Sequence, residues 1–165
     1  MIRVPRIAGT AVFLAAWLVP WRPAYRDLIG RHIAKYGTHE PMPSRWLDKY
    51  LSGARPGIFI DVGANPGMAR RTCRAASSVE TVVAFEPDPF NAWLLDRNLA
   101  ANGIENVIVS NAAVGARSGN IRLHRYKSSN YGRHSLLTDY CYGSHMVPIV
   151  DLDSALQQLG LPTGR

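Results

Sequence analysis

Short apolar runs alternate with stretches of helical spacing through the second two-thirds of the chain. I-F-I-D-V (58–62), T-V-V-A-F (81–85) and V-I-V-S (107–110) are continuous and β-prone, the signature of strands covered on both faces. Between them, residues 67–77 have helical spacing. Residues 89–102 form a second helical pattern with Trp93, Leu94, Leu95 and Leu99 on its inward side, and Asn102-Gly103 ends it as a left-handed cap would. This β-α-β-α-β order predicts a parallel sheet with right-handed crossovers. The pattern then changes. G-N-I-R-L-H-R-Y (119–126) alternates like a half-exposed strand, a polar loop runs from Lys127 to about Ser144, M-V-P-I-V (146–150) is a short strand, and 151–159 begins a helix.

Upstream, S-R-W-L-D-K-Y-L (44–51) reads as a short helix capped by Ser44, and Pro41, Pro43, Pro56 and Gly57 punctuate a boundary. The chain therefore divides into a leader, 1–56, and a domain, 57–165. The 165 residues, 47% apolar and 19% charged, suit one globular core. Of the formal charge of +7, the leader holds +6, from nine Lys/Arg against three Asp/Glu. The domain, with ten against nine, is nearly neutral, which argues against a nucleic-acid groove in it.

Residues 7–21 of the leader are uncharged and follow Arg3 and Arg6. Fifteen helical residues reach about 22 Å, short of the ~30 Å hydrocarbon layer. Three readings stay open: a helix packed on the domain or on a second subunit, a membrane-surface anchor within residues 1–31 flanked by Trp17 and Trp21, or a signal segment. Cys73 and Cys141 form no disulfide framework and no zinc pattern, so no metal is expected. Cys73 falls on an expected buried helix face. Free thiols fit a cytoplasmic protein, with membrane association as an alternative.

The turn after the first strand, Asp61 to Gly67, carries the candidate chemistry. In an open parallel sheet, ligands bind outside the carboxyl ends of the strands at such a turn. Gly63 removes a Cβ where the chain bends, Gly67 removes another where a ligand or helix comes close, and Asn65 can bridge the loop or meet a ligand. No Lys follows Gly67, so the phosphate-cradle motif is absent, and G-A-N-P-G lacks the dinucleotide spacing, which argues against an NAD enzyme. Glu86, at the end of the second strand, is placed to accept from both hydroxyls of a ribose. Asp61 can reach the ammonium of an amino-acid tail. An adenosyl sulfonium with an α-amino acid end answers these features; a strand followed by a tight turn is the plainer alternative.

F-I-D-V-G-A-N-P-G (59–67), A-F-E-P-D-P (84–89), L-A-A-N-G-I-E-N-V (99–107), N-A-A-V-G (111–115), H-S-L-L (134–137) and V-P-I-V-D-L-D (147–153) follow in order. Together they resemble the FkbM-type methyltransferases over about residues 57–155. The resemblance implies S-adenosylmethionine as cofactor and O-methyl transfer to a hydroxyl of a sugar, glycolipid or secondary metabolite. It implies a class I, Rossmann-like, three-layer α/β sandwich, of which this sequence supplies the first β-α-β-α-β half and an inserted strand pair. By position, Asp61, Gly63, Asn65 and Gly67 would surround the methionine end, Glu86 the ribose, and Asn111 and Ala112 the adenine.

Pro66, Arg70 and Arg71 depart from the family pattern, and the strand bearing its K-I-D-x-E-G type motif does not follow within these residues. Part of the acceptor pocket is thus expected to be missing, with a second chain able to supply it. No catalytic base is singled out: His124, His134 and His145 read as surface or turn residues. The competing expectation is a truncated relic serving as a membrane-surface or interaction module.

Overall fold

The computed structural model describes Lys49 and residues 57–65, 79–127 and 130–163. The leader, the expected helices over 44–51 (except Lys49) and 67–77, Gly67 and Cys73 lie outside them. Within them the chain is mixed α/β, with two small sheets and two α-helices. Strands β1 (Ile58–Val62), β2 (Thr81–Phe85) and β3 (Val107–Ser110) form one parallel sheet in the order β1-β2-β3. The three continuous apolar runs at 58–62, 81–85 and 107–110 are these strands.

β2 lies in the middle because its neighbours leave it no polar side to keep wet. Val82, Val83 and Ala84 are wholly buried and Phe85 nearly so. Alternation sends successive side chains to opposite faces. Ala84 packs with Ala64, Leu95 and Leu99 on one side; Val83 and Phe85 pack with Leu156, Ile58 and Ile60 on the other. Helix α1 (Pro89–Ala101) thus covers one face and α2 (Leu152–Gln158) the other.

Both ends of α1 are written in local chemistry. Asp88 accepts from the Phe90 and Asn91 N–H groups, and Pro89 follows it. At the far end, Gly103 N–H donates to Ala100 O and Ile104 N–H to Leu99 O, each at 3.1 Å, with Gly103 at φ +64°. This paired closure needs a residue that tolerates positive φ, and Ile104 then packs back on the Leu99 cluster.

The second sheet differs from the expected strand pair. It has three strands, β4 (Ala113–Gly115), β5 (Gly119–His124) and β6 (Ser144–Asp151), in the order β4-β6-β5. β5 and β6 are antiparallel, whereas β4 and β6 are parallel. A three-residue strand is too short to show periodicity, which is why β4 was not legible. β5 also stops at His124 rather than Tyr126, because His124 exchanges backbone hydrogen bonds with Ser135 and the chain turns away. The polar loop contains a single 3-10 turn, Tyr131–Arg133. Among the described residues, no helix is long and apolar enough to cross a membrane.

Candidate functional site

The carboxyl ends of β1, β2 and β3 meet at Glu86. Gly63 and Ala64, just past β1, both donate backbone N–H groups to Phe85 O, at 2.9 and 3.0 Å. Gly63 has φ +73°, which lets the chain fold back over the β2 end at once. Asn65, at φ +39°, is a residue type that enters this left-handed region more readily than most. Its N–H then points at Glu86 and donates to Oε2 at 3.0 Å. The other carboxylate oxygen, Oε1, accepts the Asp88 N–H at 2.9 Å.

Glu86 is therefore the buried clasp between two strand-end loops, 5% exposed. Burial pushes its carboxyl above the ordinary value, against the lowering effect of the Asp88 and Asn65 N–H groups; the nearby Asp88 charge adds to the rise. The Asn91 side-chain amide is a further hydrogen-bond donor to this carboxylate and lowers it as well. From the β3 side, Asn111 Nδ2 donates to Glu86 O at 2.8 Å and to Pro87 O at 3.1 Å. The Asn111 amide thus braces the Glu86-Pro87 turn, and the Ala112 N–H closes onto Ser110 O at 2.9 Å.

Six of the seven residues singled out from the sequence lie at these three strand ends. Asp61 is buried near the end of β1, in register with Ala84; Gly63 and Asn65 form the loop; Glu86 is the clasp; Asn111 and Ala112 follow β3. Gly67 lies outside the described residues. Glu86 and Asn65 are joined directly, as are Glu86 and Asn111 through the Glu86 carbonyl.

The sequence reading missed Asp88, His134 and His145. Asp88 is 3% exposed and its Oδ2 lies 3.8 Å from Nε2 of both histidines, which come from the polar loop and from β6. His134, largely enclosed, and His145, partly exposed, belong to one cluster with Asp88 rather than to surface turns, and only pairing in space brings them together. His124, in contrast, sits 3.5 Å from the exposed Asp139. Among the described residues, no group of three His, Cys, Asp or Glu is arranged to hold a metal ion.

No family model matches the chain, so the family resemblance rests on the sequence blocks alone. No curated protein matches it either. Among solved structures it is similar to wild-type Trm5b from Pyrococcus abyssi, at 19% identity and a TM-score of 0.36. The likeness covers 47% of this chain and 25% of that one, about a quarter of the neighbour's length.

Proposed function

We propose that this chain carries the cofactor half of an S-adenosylmethionine-dependent methyltransferase that transfers a methyl group to a hydroxyl oxygen. The observation that supports it most is Glu86: a buried carboxylate at the end of the central parallel strand, held by the loop after β1. A ligand at the strand ends meets that carboxylate, the open backbone at Gly63, and Asn111 together. A carboxylate at the strand end suits a cis-diol, and it repels a 2′-phosphate. A hydroxyl of a sugar, glycolipid or secondary metabolite is the acceptor that the sequence resemblance implies. Positioning that oxygen in line with the sulfonium supplies much of the rate.

The test is calorimetric titration of S-adenosylhomocysteine into the whole chain. Micromolar binding that weakens tenfold or more in Glu86→Ala, with unchanged circular dichroism, supports the reading. A folded chain that takes up no S-adenosylhomocysteine overturns it.

Membrane-surface contact through residues 1–31 is a separate proposal, resting on the uncharged run 7–21 and the arginines around it. Co-sedimentation with anionic liposomes should be lost on deleting residues 1–23, and unchanged binding would sink it.

A further inference from the structure

Beside the cofactor-facing Glu86 lies a group of side chains that this reading leaves unused. Asp88 divides its carboxylate: Oδ1 caps α1, and Oδ2 faces His134 and His145. His134 Nδ1 accepts the Tyr126 N–H at 3.0 Å. A nitrogen that accepts cannot carry a proton, so His134 is neutral with its proton on Nε2, on the Asp88 side. His145 is placed differently. Both its ring nitrogens are shielded from water, yet neither has a hydrogen-bond partner among the described residues, while its side chain as a whole is 23% exposed. Buried polar nitrogens are nearly always partnered, and one that is not calls for a reason such as a ligand.

Tyr126 carries the cluster outward. Tyr140 and Tyr142 meet its ring edge-on, with centroids 5.0 and 5.9 Å away. The Arg133 guanidinium stands 4.8 Å from the Tyr126 centroid and the Lys127 ammonium 5.5 Å. Tyr142 remains 54% exposed. From Arg122 to Tyr142 the chain has four basic residues, Arg122, Arg125, Lys127 and Arg133, and one acid, Asp139. Asp139 is already engaged by the Cys141 N–H at 2.8 Å and lies beside His124.

We infer that His145 and the Tyr126–Tyr142 rim with Arg133 and Lys127 form the acceptor site, which takes a hydroxyl compound that also bears a carboxylate or phosphate, such as an acidic sugar. This rests on the transferase reading above. Arg133 and Lys127 hold the oxyanion. The exposed Tyr142 ring packs against the apolar side of the sugar. His145, partly exposed, turns a ring nitrogen toward the site and accepts from the acceptor hydroxyl. As the methyl carbon leaves the sulfonium, the bonding pair stays on sulfur, a C–O bond forms, and the hydroxyl proton passes to His145, whose imidazolium then faces Asp88. Asp88 is a positioning residue. A single-stranded nucleic acid also joins aromatic and basic groups, but it needs rings free to stack and a long basic track. Here the rings meet edge-on, two cations stand by Tyr126, and residues 57–165 are nearly neutral.

The experiment is NMR titration of the full chain, saturated with S-adenosylhomocysteine, using D-glucuronate, D-glucose 6-phosphate and D-glucose as probes. At least one acidic probe should bind tenfold or more tighter than glucose and shift both the Tyr142 and His145 ring resonances. Which acidic probe wins separates carboxylate from phosphate. Arg133→Gln with Lys127→Gln should abolish the preference while leaving S-adenosylhomocysteine affinity unchanged, and either exposed substitution alone should reduce it. Equal binding of all three sugars, no sugar binding by a chain that binds S-adenosylhomocysteine, or an unmoved His145 overturns the inference. So does tight binding of a twelve-residue oligothymidylate with no sugar binding. Failure of S-adenosylhomocysteine to bind, with charge-dependent sugar binding intact, removes the transferase reading and leaves an anion site.

Discussion

Asn65 and Glu86, twenty-one residues apart, are joined by the hydrogen bond from the Asn65 N–H to Glu86 Oε2 at 3.0 Å. The same carboxylate takes the Asp88 N–H on its other oxygen. Two loops that leave different strands are thus set by one side chain, and the shape of the candidate crevice follows from its being an acceptor on both sides. Glu86→Gln keeps the size but has one oxygen, so one of the two N–H groups is left facing an amide donor. Losing a buried partner of this kind costs about 1–3 kcal/mol. Urea unfolding should show that loss with an unchanged m-value; equal stability would mean the carboxylate does not hold both loops.

Ionisation of Glu86 gives a second expectation. Burial raises its carboxyl above the ordinary value of 4.5, opposed by the two N–H groups. A raised acid favours the fold in its neutral form. Its contribution is therefore complete below the unfolded value and is lost as pH rises through the folded one. Carboxyl carbon NMR should place the Glu86 midpoint above 4.5, and Asp88→Asn, which removes the neighbouring charge, should lower it. A midpoint at or below 4.5 contradicts burial as the leading cause.

Asp88 stabilises α1 through its side chain and Glu86 through its backbone N–H. Only the first is lost on mutation. Asp88→Ala should cost about 0.5–2 kcal/mol, the usual range for a helix cap. Asp88→Asn keeps a capping oxygen and should cost markedly less. Guanidinium unfolding of the two variants separates the cap from the charge: equal losses would point to the charge facing His134 and His145.

Why were the Glu86 crevice legible in the sequence and the histidine cluster not? The three parallel strands announce themselves because burial on both faces leaves unbroken apolar runs. The Asp61–Asn65 turn and Glu86 stand at the ends of those runs, so element boundaries alone place them together. Asp88 reads locally as a helix cap, which it is, and one-dimensional reasoning stops there. His134 and His145 reach it through a polar loop and through β6, whose placement between β5 and the three-residue β4 is set only in the fold. Likewise the Tyr126 rim joins residues from 126 to 142 by ring contacts that follow no periodicity. Local chemistry is written in order along the chain, whereas a site assembled from loops is written only in the fold.

The join between the second sheet and α2 supplies an acid-sensitive test. Asp151 Oδ1 accepts the Ser154 N–H at 2.9 Å, Oδ2 accepts the Ser118 hydroxyl at 2.7 Å, and the Asp151 N–H returns to Ser118 Oγ at 3.1 Å. Hydrogen bonding from Ser154, then from Ser118, holds the Asp151 carboxyl down at about 2. A lowered acid favours the fold in its charged form. The contribution is full above the unfolded value of 3.8, declines as pH falls, and is gone once pH has dropped through about 2. Ser118→Ala removes one of these donors and leaves those of Ser154, so the carboxyl should titrate at higher pH and the loss should begin earlier. Asp151→Asn has no charge to lose, and the wild-type advantage over it should shrink as pH falls from 4 to 2. Carboxyl NMR of Asp151 in Ser118→Ala decides the matter. An upward shift assigns part of the depression to the serine across the sheet, and an unmoved midpoint leaves the cap of α2 as its whole cause.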